Sequence, residues 1–546
     1  MKNQLILFFF ILFLGRLSAF AQEIVHISYE QGQTQVRINE QGELLVNVSS
    51  EDLNTFKNQG QLHYSDFGAK GDGKADDIDA IAATHAVANQ LGFSVKADNS
   101  ARYYISGKGR IAMIQTDTDF GMAQFIIDDT EVEDRTKHVF MVSSNLRSFD
   151  LEGVTSLKRD QQKLDVPFPG PCLVTVTDDN VRRYIRYGPN ENDGSPQTDI
   201  FIVDKDGNVD PNAPIVWDFD QITEITALPM DETLLTITGG IFNTIANQAE
   251  SRYNYHSRGI AIRRSNVLVE GLEHHIYGEG EHGAPYGGFL NFRDCSNVTV
   301  RNSILTGHKT YRTIGSAGVP VSMGSYDISL SRSINVSFEH CSQTNDINDP
   351  TYWGIMGSNF CKNLILDHVT FSRFDAHMGV ANATVRHSTL GHMGINAIGT
   401  GTFLVENSTL NGRTLINLRS DYGSTWEGEL IVRDCVFIPA GGRQSSASLI
   451  GGSNSGQHDF GYTAYMPERI VIENLHIDDS NHPEDYQGPA IFANFNQEMT
   501  DDSYVEKFPH VRSEEVVLKN VTIESGKELR VSDNPYLFRN VEIRNE

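Results

Sequence analysis

A short strand motif recurs along the second half of the chain, and polar groups follow each copy. The copies begin at Asn266, Asn297, Asn335, Asn363, Asn382 and Thr402, the last three 19 and 20 residues apart. A strand-based repeat of this length is typical of a parallel β-solenoid, in which each coil buries its apolar face only by stacking on its neighbours. We therefore predict an all-β fold, a right-handed parallel β-helix, with one ladder containing Val298, Val336, Leu364, Ala383 and Phe403.

Residues at one offset in the repeat should form a column, because successive coils stack at roughly 4.8 Å. Eleven residues after each start stand Tyr277, His308, Asp346, Phe374, Met393 and Arg413. The flanking positions add Asn345, Arg373, Asp375 and His392, and His377 follows shortly after. Solvated turns explain Asn and Asp, but clustered His, Arg and Tyr favour a functional stripe on one wall of the solenoid.

The N-terminus has the pattern of a signal peptide. Lys2 precedes the apolar run 5–14, and Ala19-Phe20-Ala21 matches a cleavage site. We predict a signal peptide over 1–21, cleaved near Ala21/Gln22, a secreted or periplasmic protein, and no membrane span. The net charge of −27 argues against nucleic acid as a partner, since a general basic footprint is absent. An anionic substrate would then need a locally basic groove.

We predict that the remaining chain forms one domain preceded by a short leader. Residues 22–60 form a β-rich leader, and 61–546 form the β-helix domain. Within that domain we predict a cap helix over 76–92, an irregular β insertion over 95–232 beside the first coils, and regular coils over 233–546. The five cysteines fit stacked core thiols better than disulfides, because their number is odd and most recur at matching repeat positions. We expect a monomer.

The segment Asp66-Phe67-Gly68-Ala69-Lys70-Gly71-Asp72-Gly73 resembles the N-terminal cap of the pectate lyase superfamily, whose members are parallel β-helix proteins that degrade polysaccharides. With the repeats, the resemblance covers most of residues 61–546. It implies a protein that acts on, or binds, a polysaccharide. The ordered motifs of polygalacturonases are missing, and Gly280-Glu281-His282-Gly283 and Asn345-Asp346 are poor substitutes for them.

The stripe favours β-elimination of a uronic-acid-containing glycan. That reaction needs a group that neutralises the sugar carboxylate, a base, and an acid for the leaving oxygen. The candidate catalytic set is His308, Asp375, His377, His392 and Arg413, in which a histidine is the base and Arg413 holds the carboxylate. The candidate substrate-binding residues are Tyr277, Lys309, Tyr311, Arg312, Asp346, Tyr352, Trp353, Arg373 and Arg419.

Other readings stay open. A glycoside hydrolase would use two carboxylates, with Asp346 and Asp375 as the best pair and Asp421 and Glu427 as more distant candidates. A non-catalytic carbohydrate-binding or tailspike-like protein is a third possibility. The metal is unknown; Ca²⁺ is possible if Asp346, Asp349 and Asp375 supply oxygen ligands. His340, His368 and His387 share one offset with Asn302 and Asn407, which predicts a structural ladder at a turn rather than catalysis.

Overall fold

The structure is a computed structural model that describes residues 24–132, 134–252, 255–280, 286–439 and 446–546. The predicted signal peptide and the motif Glu281-His282-Gly283 lie outside these residues. Among the described residues, no helix is long and apolar enough to cross a membrane.

The predicted ladder is confirmed. Val298 pairs with Val336, Val336 with Leu364, Leu364 with Ala383 and Ala383 with Phe403, all in parallel register. The same ladder extends back through Val267 to Leu235 and continues to Ile543. The chain is a right-handed parallel β-helix, and we call the face that carries this ladder sheet 1.

Two further faces complete each coil. Sheet 2 follows sheet 1 after a turn and stacks, for example, Leu390 on Phe371 and Leu410 on Leu390. Sheet 3 precedes sheet 1 and stacks Ile395 on Phe374 and Ile416 on Ile395. The apolar side chains of all three faces meet in one core.

The strands of the main coils have these bounds: Leu235–Ile245, Ile260–Arg263, Val267–Glu270, Glu273–Tyr277, Gly287–Arg301, Ile304–Leu305, Tyr326–Glu339, Ser342–Gln343, Met356–Asp367, Thr370–Arg386, Thr389–Ala397, Gly399–Glu406, Thr409–Gly412, Thr414–Leu418, Trp426–Pro439, Ala447–Gly451, Arg469–Ile477, Pro489–Phe492, Glu515–Lys519, Thr522–Ile523 and Glu542–Asn545. Two small pairs lie outside the coils: Tyr311–Ile314 with Pro320–Met323, and Ala464–Tyr465 with His510–Val511. Short 3₁₀ turns occur at Tyr64–Phe67, Ser420–Tyr422 and Pro535–Phe538.

Asparagine and histidine occupy the corners where the backbone turns left-handed. Asn297, Asn335 and Asn363 have positive φ, and the side-chain amide of each donates to the asparagine one coil earlier, at 2.8–3.1 Å. Asparagine tolerates this conformation because its short polar side chain bonds locally. At the other corner, the ring centroids of His340, His368 and His387 stack at 4.5 Å intervals, which confirms the predicted ladder.

The N-terminal end of the core is closed by the predicted cap helix, which spans Ile78–Leu91. Ile81 and Val87 are fully buried on it. Asp77 precedes the helix without capping it; its carboxylate accepts hydrogen bonds from the backbone N–H groups of Lys70 and Gly71 at 2.6 and 3.0 Å. Asp77 therefore holds the glycine-rich turn against the helix start.

The leader is a three-stranded sheet and a helix. Its strands are Val25–Glu30, Gln35–Ile38 and Leu44–Ser49, and the helix is Ser50–Gln59. Leu44 and Val46 are buried and belong to the same hydrophobic core as the cap helix. The leader thus extends the closure of this end.

The coils begin earlier than predicted. The strands Gln61–His63, Asp72–Asp76, Ser94–Lys96, Arg102–Ile105, Ala112–Ile114, Thr118–Asp128 and Phe140–Ser143 already belong to the main sheet. The inserted sheet is shorter, with strands Phe149–Asp150, Cys172–Arg183, Ser195–Val203 and Glu224–Pro229. Irregular loops between the first strands hid their periodicity.

We predicted that the insertion lies beside the first coils, but it packs against the middle coils instead. Its residues Leu173 and Ile200 pack on Ile334, and Asp199 pairs with Lys362 at 2.8 Å between Oδ1 and Nζ. Its apolar outer face needs a partner surface, and the corner between sheets 3 and 1 of the middle coils supplies one. All five cysteines are free and buried.

Replacing Ile81 with Asp should destabilise the protein, because an unpaired charge would enter the closed end of the core. We expect a loss of ~3–5 kcal/mol in the free energy of unfolding, measured by urea denaturation. The exposed Gln90 on the same helix provides the control: Gln90→Asp should change stability by no more than about 0.5 kcal/mol. Equal stability of the two variants would contradict the capping role.

Candidate functional site

A cluster of charged side chains lies on the outer face of sheet 3. Asp375 pairs in register with Asn396, and Asn396 with Asn417. Arg373 and His377 flank Asp375 on its own strand, and Arg419 follows the strand of a later coil. We call Arg186, Arg373, Asp375, His377, Arg419, Asp421 and Tyr422 the sheet 3 cluster.

Arginines hold both carboxylates of the cluster. Asp375 is fully buried; Arg373 Nη2 lies 2.5 Å from its Oδ2, and Arg419 Nη1 donates to its Oδ1 at 3.0 Å. Arg419 also donates to both oxygens of Asp421 at 3.1 and 2.8 Å, and Arg186 Nε donates to Asp421 Oδ2 at 2.9 Å. Each guanidinium thereby fixes the position of a neighbouring acid.

The protonation states of the carboxylates follow from these contacts. Burial by itself would raise the pKa of Asp375, but Arg373 and Arg419 outweigh it and lower that pKa below its ordinary value. Burial likewise opposes ionisation of Asp421, yet Arg419 and Arg186 lower its pKa to about 2. Both acids are therefore ionised at neutral pH and have no proton to give.

His377 is a neutral imidazole in this setting. Burial, with Arg419 adding repulsion, lowers the pKa of His377 to about 3. Its Nδ1 lies 2.9 Å from Asn359 Oδ1; because that oxygen only accepts, Nδ1 carries the hydrogen and Nε2 carries the lone pair. Nε2 has a lone pair to accept a proton, but the lowered pKa makes His377 a weak base unless a nearby negative charge raises that pKa.

Tyr422 is a fully buried aromatic residue that packs against the cluster. Its ring lies edge-on to that of His377, with centroids 5.6 Å apart, and the guanidinium groups of Arg186 and Arg419 sit 5.4 and 5.5 Å from it. Burial raises the pKa of Tyr422 to about 12, so the phenol keeps its proton. The cluster thus holds a protonated phenol beside a neutral imidazole.

The cluster has one positive charge more than its carboxylates balance, since three guanidinium groups face two acids. Arg373 is 2% exposed, and its Nε and Nη1 have no hydrogen-bond partner among the described residues. Buried polar atoms are nearly always paired with protein, water or ligand, so these two nitrogens of Arg373 are available as donors to a further polar group.

A second buried cluster surrounds His308. Its Nδ1 lies 3.3 Å from Glu279 Oε1 and its Nε2 3.2 Å from Asp327 Oδ1, while His274 Nδ1 approaches the same Asp327 oxygen at 2.8 Å. Burial alone would lower the pKa of His308, but the two carboxylates outweigh it and raise that pKa to about 9. The ring of Tyr286 stacks on His308 at 5.4 Å. His308 is therefore a buried imidazolium, which cannot act as a base.

The predicted stripe thus divides into groups. Asp375, His377, Arg373 and Arg419 come together, and Trp353 lies 5.5 Å from the Arg373 guanidinium. His308 belongs to the second cluster, together with Lys309, whose Nζ donates to the carbonyls of Glu279 and Gly280, and the fully buried Tyr311. The backbone N–H of Trp353 donates to the carbonyl of His308 at 2.9 Å, which links the two clusters.

The remaining predicted residues are not gathered at either cluster. Tyr277, Arg312, Asp346 and Arg413 are exposed. Half-buried His392 is tied through Nδ1 to the carbonyl of Ile347 at 3.0 Å, and Tyr352 pairs through its backbone with Lys309. Arg413 is therefore not part of the sheet 3 cluster.

The two carboxylates considered for hydrolysis, Asp346 and Asp375, lie in different surroundings. Asp346 accepts from the backbone of Asn348 in its own exposed turn, at 2.9 Å, whereas Asp375 is buried among arginines. In the stripe, Phe374 points into the core and is fully buried. The register shifts between the pairs Phe371–Leu390 and Arg373–Gly394, so counting from the repeat start does not identify the residues that share a column.

Several residues of the clusters were not in the predicted set. They are Arg186, Asp421 and Tyr422 in the first cluster, and His274, Glu279, Asp327 and Tyr286 in the second. Asp421 is among the more distant candidates for a hydrolytic carboxylate, and Arg186 follows Arg182 and Arg183 in the chain. Nothing in the sequence pairs them, because Arg186 and Asp421 are 235 positions apart.

One group of metal-type ligands occurs among the described residues. Donor atoms of Asp367, His368 and His387 all lie within 4.8 Å of one another. Imidazole nitrogens favour transition metals over calcium. Of the predicted calcium ligands, Asp349 instead accepts from the backbone N–H of Thr351 at 2.9 Å.

Comparisons with known proteins concern the fold. No protein-family model matches the chain, and no curated protein matches it. Among solved structures, the tailspike gp61 of Pseudomonas phage phi297 is similar, with a TM-score of 0.51 and 12% identity over 86% of this chain and 82% of that one. At this identity, the similarity shows the fold alone.

Two further solved structures have lower scores. The gp54 tailspike of Acinetobacter baumannii bacteriophage AP22, in complex with A. baumannii capsular saccharide, has a TM-score of 0.46 and 11% identity over 91% of this chain and 79% of that one. An exopolygalacturonase from Thermotoga maritima has a TM-score of 0.39 and 10% identity over 85% and 86%.

The buried imidazolium predicts a pH-dependent stability. The folded pKa of His308, about 9, exceeds its ordinary value of 6.5, so its stabilisation is full below pH 6.5 and is lost as the pH rises through 9. The urea midpoint of wild type should therefore exceed that of His308→Gln by much more at pH 6 than at pH 9.5. The control variant is His476→Gln, because the His476 side chain is 41% exposed and its replacement should not show this pH dependence. A gap for His308→Gln that does not change with pH would contradict the assignment.

Proposed function

We propose that this protein is an exported polysaccharide lyase that cleaves an acidic, uronic-acid-containing glycan at the sheet 3 cluster. The observation that carries the proposal is the neutral imidazole of His377 beside a protonated tyrosine and an arginine excess. These are the three parts that β-elimination needs. Export rests on the N-terminal sequence pattern.

The roles follow from the protonation states. Arg419 and Arg186 would neutralise the sugar carboxylate, which makes the proton on the adjacent ring carbon more acidic. His377 Nε2 would take that proton as the C–O bond to the leaving sugar breaks, and Tyr422 O–H would protonate the departing oxygen. Binding of a carboxylate beside His377 would also raise the pKa of the imidazole, which makes it a stronger base.

Hydrolysis is disfavoured at this cluster by the state of its acids. A glycoside hydrolase needs one carboxyl group that is protonated at working pH. Asp375 and Asp421 are both held ionised by arginine. Their roles here are to position Arg373 and Arg419.

A second candidate is glycan binding without cleavage. It is favoured by the extensive pairing inside the cluster, since Arg419 already spans Asp375 and Asp421 and has to rearrange before it can engage a substrate. Cleavage and binding without cleavage both predict affinity for the glycan, but only cleavage forms products.

The test is elimination by wild type and His377→Ala on a panel of acidic polysaccharides, followed by absorbance near ~235 nm and by reducing ends, since only elimination creates a conjugated double bond. We expect wild type to raise both signals and His377→Ala to be ~10²–10⁴-fold slower, as loss of a general base implies.

The matched control is His387→Ala. His387 belongs to the stacked corner ladder. Its replacement should therefore act mainly by lowering the melting temperature, with a smaller effect on the rate of elimination. New reducing ends without absorbance would show hydrolysis instead of elimination. Binding without either product would favour the non-catalytic candidate.

A further inference from the structure

A partly open cavity of about 220 Å³ lies between the insertion and the β-helix. It is bounded on one side by insertion residues near Arg183 and Trp217, and on the other by coil residues near Phe360, Thr400 and Tyr462. Sites for drug-sized ligands usually occupy ~300–1,000 Å³. The cavity therefore suits one small polar ring rather than a chain of several.

Aromatic rings make up much of its wall. Tyr184 lies 5.3 Å from Tyr462 and 5.7 Å from Phe360 between ring centroids, and Trp217 lies 6.2 Å from Tyr462. Threonine hydroxyls at 198, 400, 425 and 463 also line the space. Flat apolar faces with a few hydroxyl groups suit a ligand with both C–H faces and hydroxyls, which is the chemistry of a sugar ring.

The charges of the wall are unequal. Lys362 is paired with Asp199 at 2.8 Å, and Arg159 with Glu427 at 2.9 Å. Arg183 has no carboxylate within salt-bridge distance in the part of the chain that the structure describes; its guanidinium lies 4.6 Å from the Trp217 ring centroid and donates to Gln197 Oε1 at 2.8 Å and to the Gly461 carbonyl. One wall cation is thus free to meet an anion.

The Arg159–Glu427 pair also lines the cavity, and its side chains are 41% and 34% exposed. Both are long side chains in contact with solvent, and exposed ion pairs of this kind contribute little stability. They can separate to admit a ligand at low cost.

We propose that this cavity is a binding site for a single acidic monosaccharide unit, whose ring packs against the aromatic wall and whose carboxylate pairs with Arg183. Tyr184 separates the cavity from the sheet 3 cluster, since its ring lies 6.1 Å from that of Tyr422. The choice of a uronic acid among small ring carboxylates rests on the proposed function. The need for an anion and a ring rests on the cavity itself.

The test is calorimetric and fluorescence titration of the full-length protein with D-galacturonate and D-glucuronate. D-glucose serves as the uncharged ring and acetate as the carboxylate without a ring. The protein has three tryptophans, of which Trp426 is fully buried in the core and Trp353 lies beside the sheet 3 cluster. A fluorescence change that disappears in Trp217→Phe therefore reports the cavity, and one that persists reports the cluster and overturns the proposal.

Arg183→Gln should weaken uronate binding by about 10-fold or more, as loss of a charge-assisted contact implies, while Arg183→Lys should retain part of it. Arg182→Gln is the control, because exposed Arg182 donates to the carbonyls of Asp193 and Gly194 away from the cavity. Thermal melting checks that each variant is folded, and Arg183→Lys decides the case if Arg183→Gln is not.

Equal affinity for glucose and uronates, equal affinity for acetate and uronates, or an equal loss in Arg182→Gln would each overturn the proposal, as would absence of uronate binding to wild type. The elimination assay is read separately. Uronate binding that depends on Arg183, without any elimination, refutes the lyase and leaves the cavity site. Elimination that depends on His377, without binding in the cavity, refutes the cavity site and leaves the lyase.

Discussion

The parallel stacking of coils through the sheet 1 ladder is the constraint on which the rest of the molecule depends. Val298, Val336 and Leu364 are buried only because a coil lies above and below each of them. A coil on its own would expose its apolar face, so stability comes from neighbours rather than from single repeats. The chain must then close its ends, and the cap helix with Ile81 and Val87 does so at the N-terminal end.

That stack also makes a rigid surface on which charges can be held. A buried ion such as Asp375 is costly unless it is paired and hydrogen-bonded. Sheet 3 places Arg373 two positions away on the same strand and brings Arg419 from a later coil, so Asp375 meets two guanidinium groups without any loop having to order. The same principle applies to His308 with the charges reversed, because the carboxylates of Asp327 and Glu279 surround a buried imidazolium.

The insertion contributes charged side chains to contacts with the coils of the β-helix. Arg186 reaches Asp421 in the sheet 3 cluster, Asp199 reaches Lys362, and Arg183 reaches the carbonyl of Gly461. These contacts join distant segments of the chain: Arg186 and Asp421 are 235 positions apart, and Arg183 and Gly461 are 278 positions apart. The cluster and the cavity both depend on this second layer, which covers coils that would otherwise be open to solvent.

The sequence by itself determined the fold class, the sheet 1 ladder, the capping helix and the histidine ladder at the corner. These features are local or periodic: a strand that alternates, an αL corner that suits Asn, a helix that ends at Gly92. Part of the candidate site was also predictable, because Arg373, Asp375 and His377 share one strand. Only the tertiary structure decided that Arg419 rather than Arg413 faces Asp375, that His308 is enclosed by carboxylates, and that Arg186 meets Asp421. The reason is physical: bulges and loops of unequal length change which face a residue occupies, and contacts with the insertion form only after the coils have stacked.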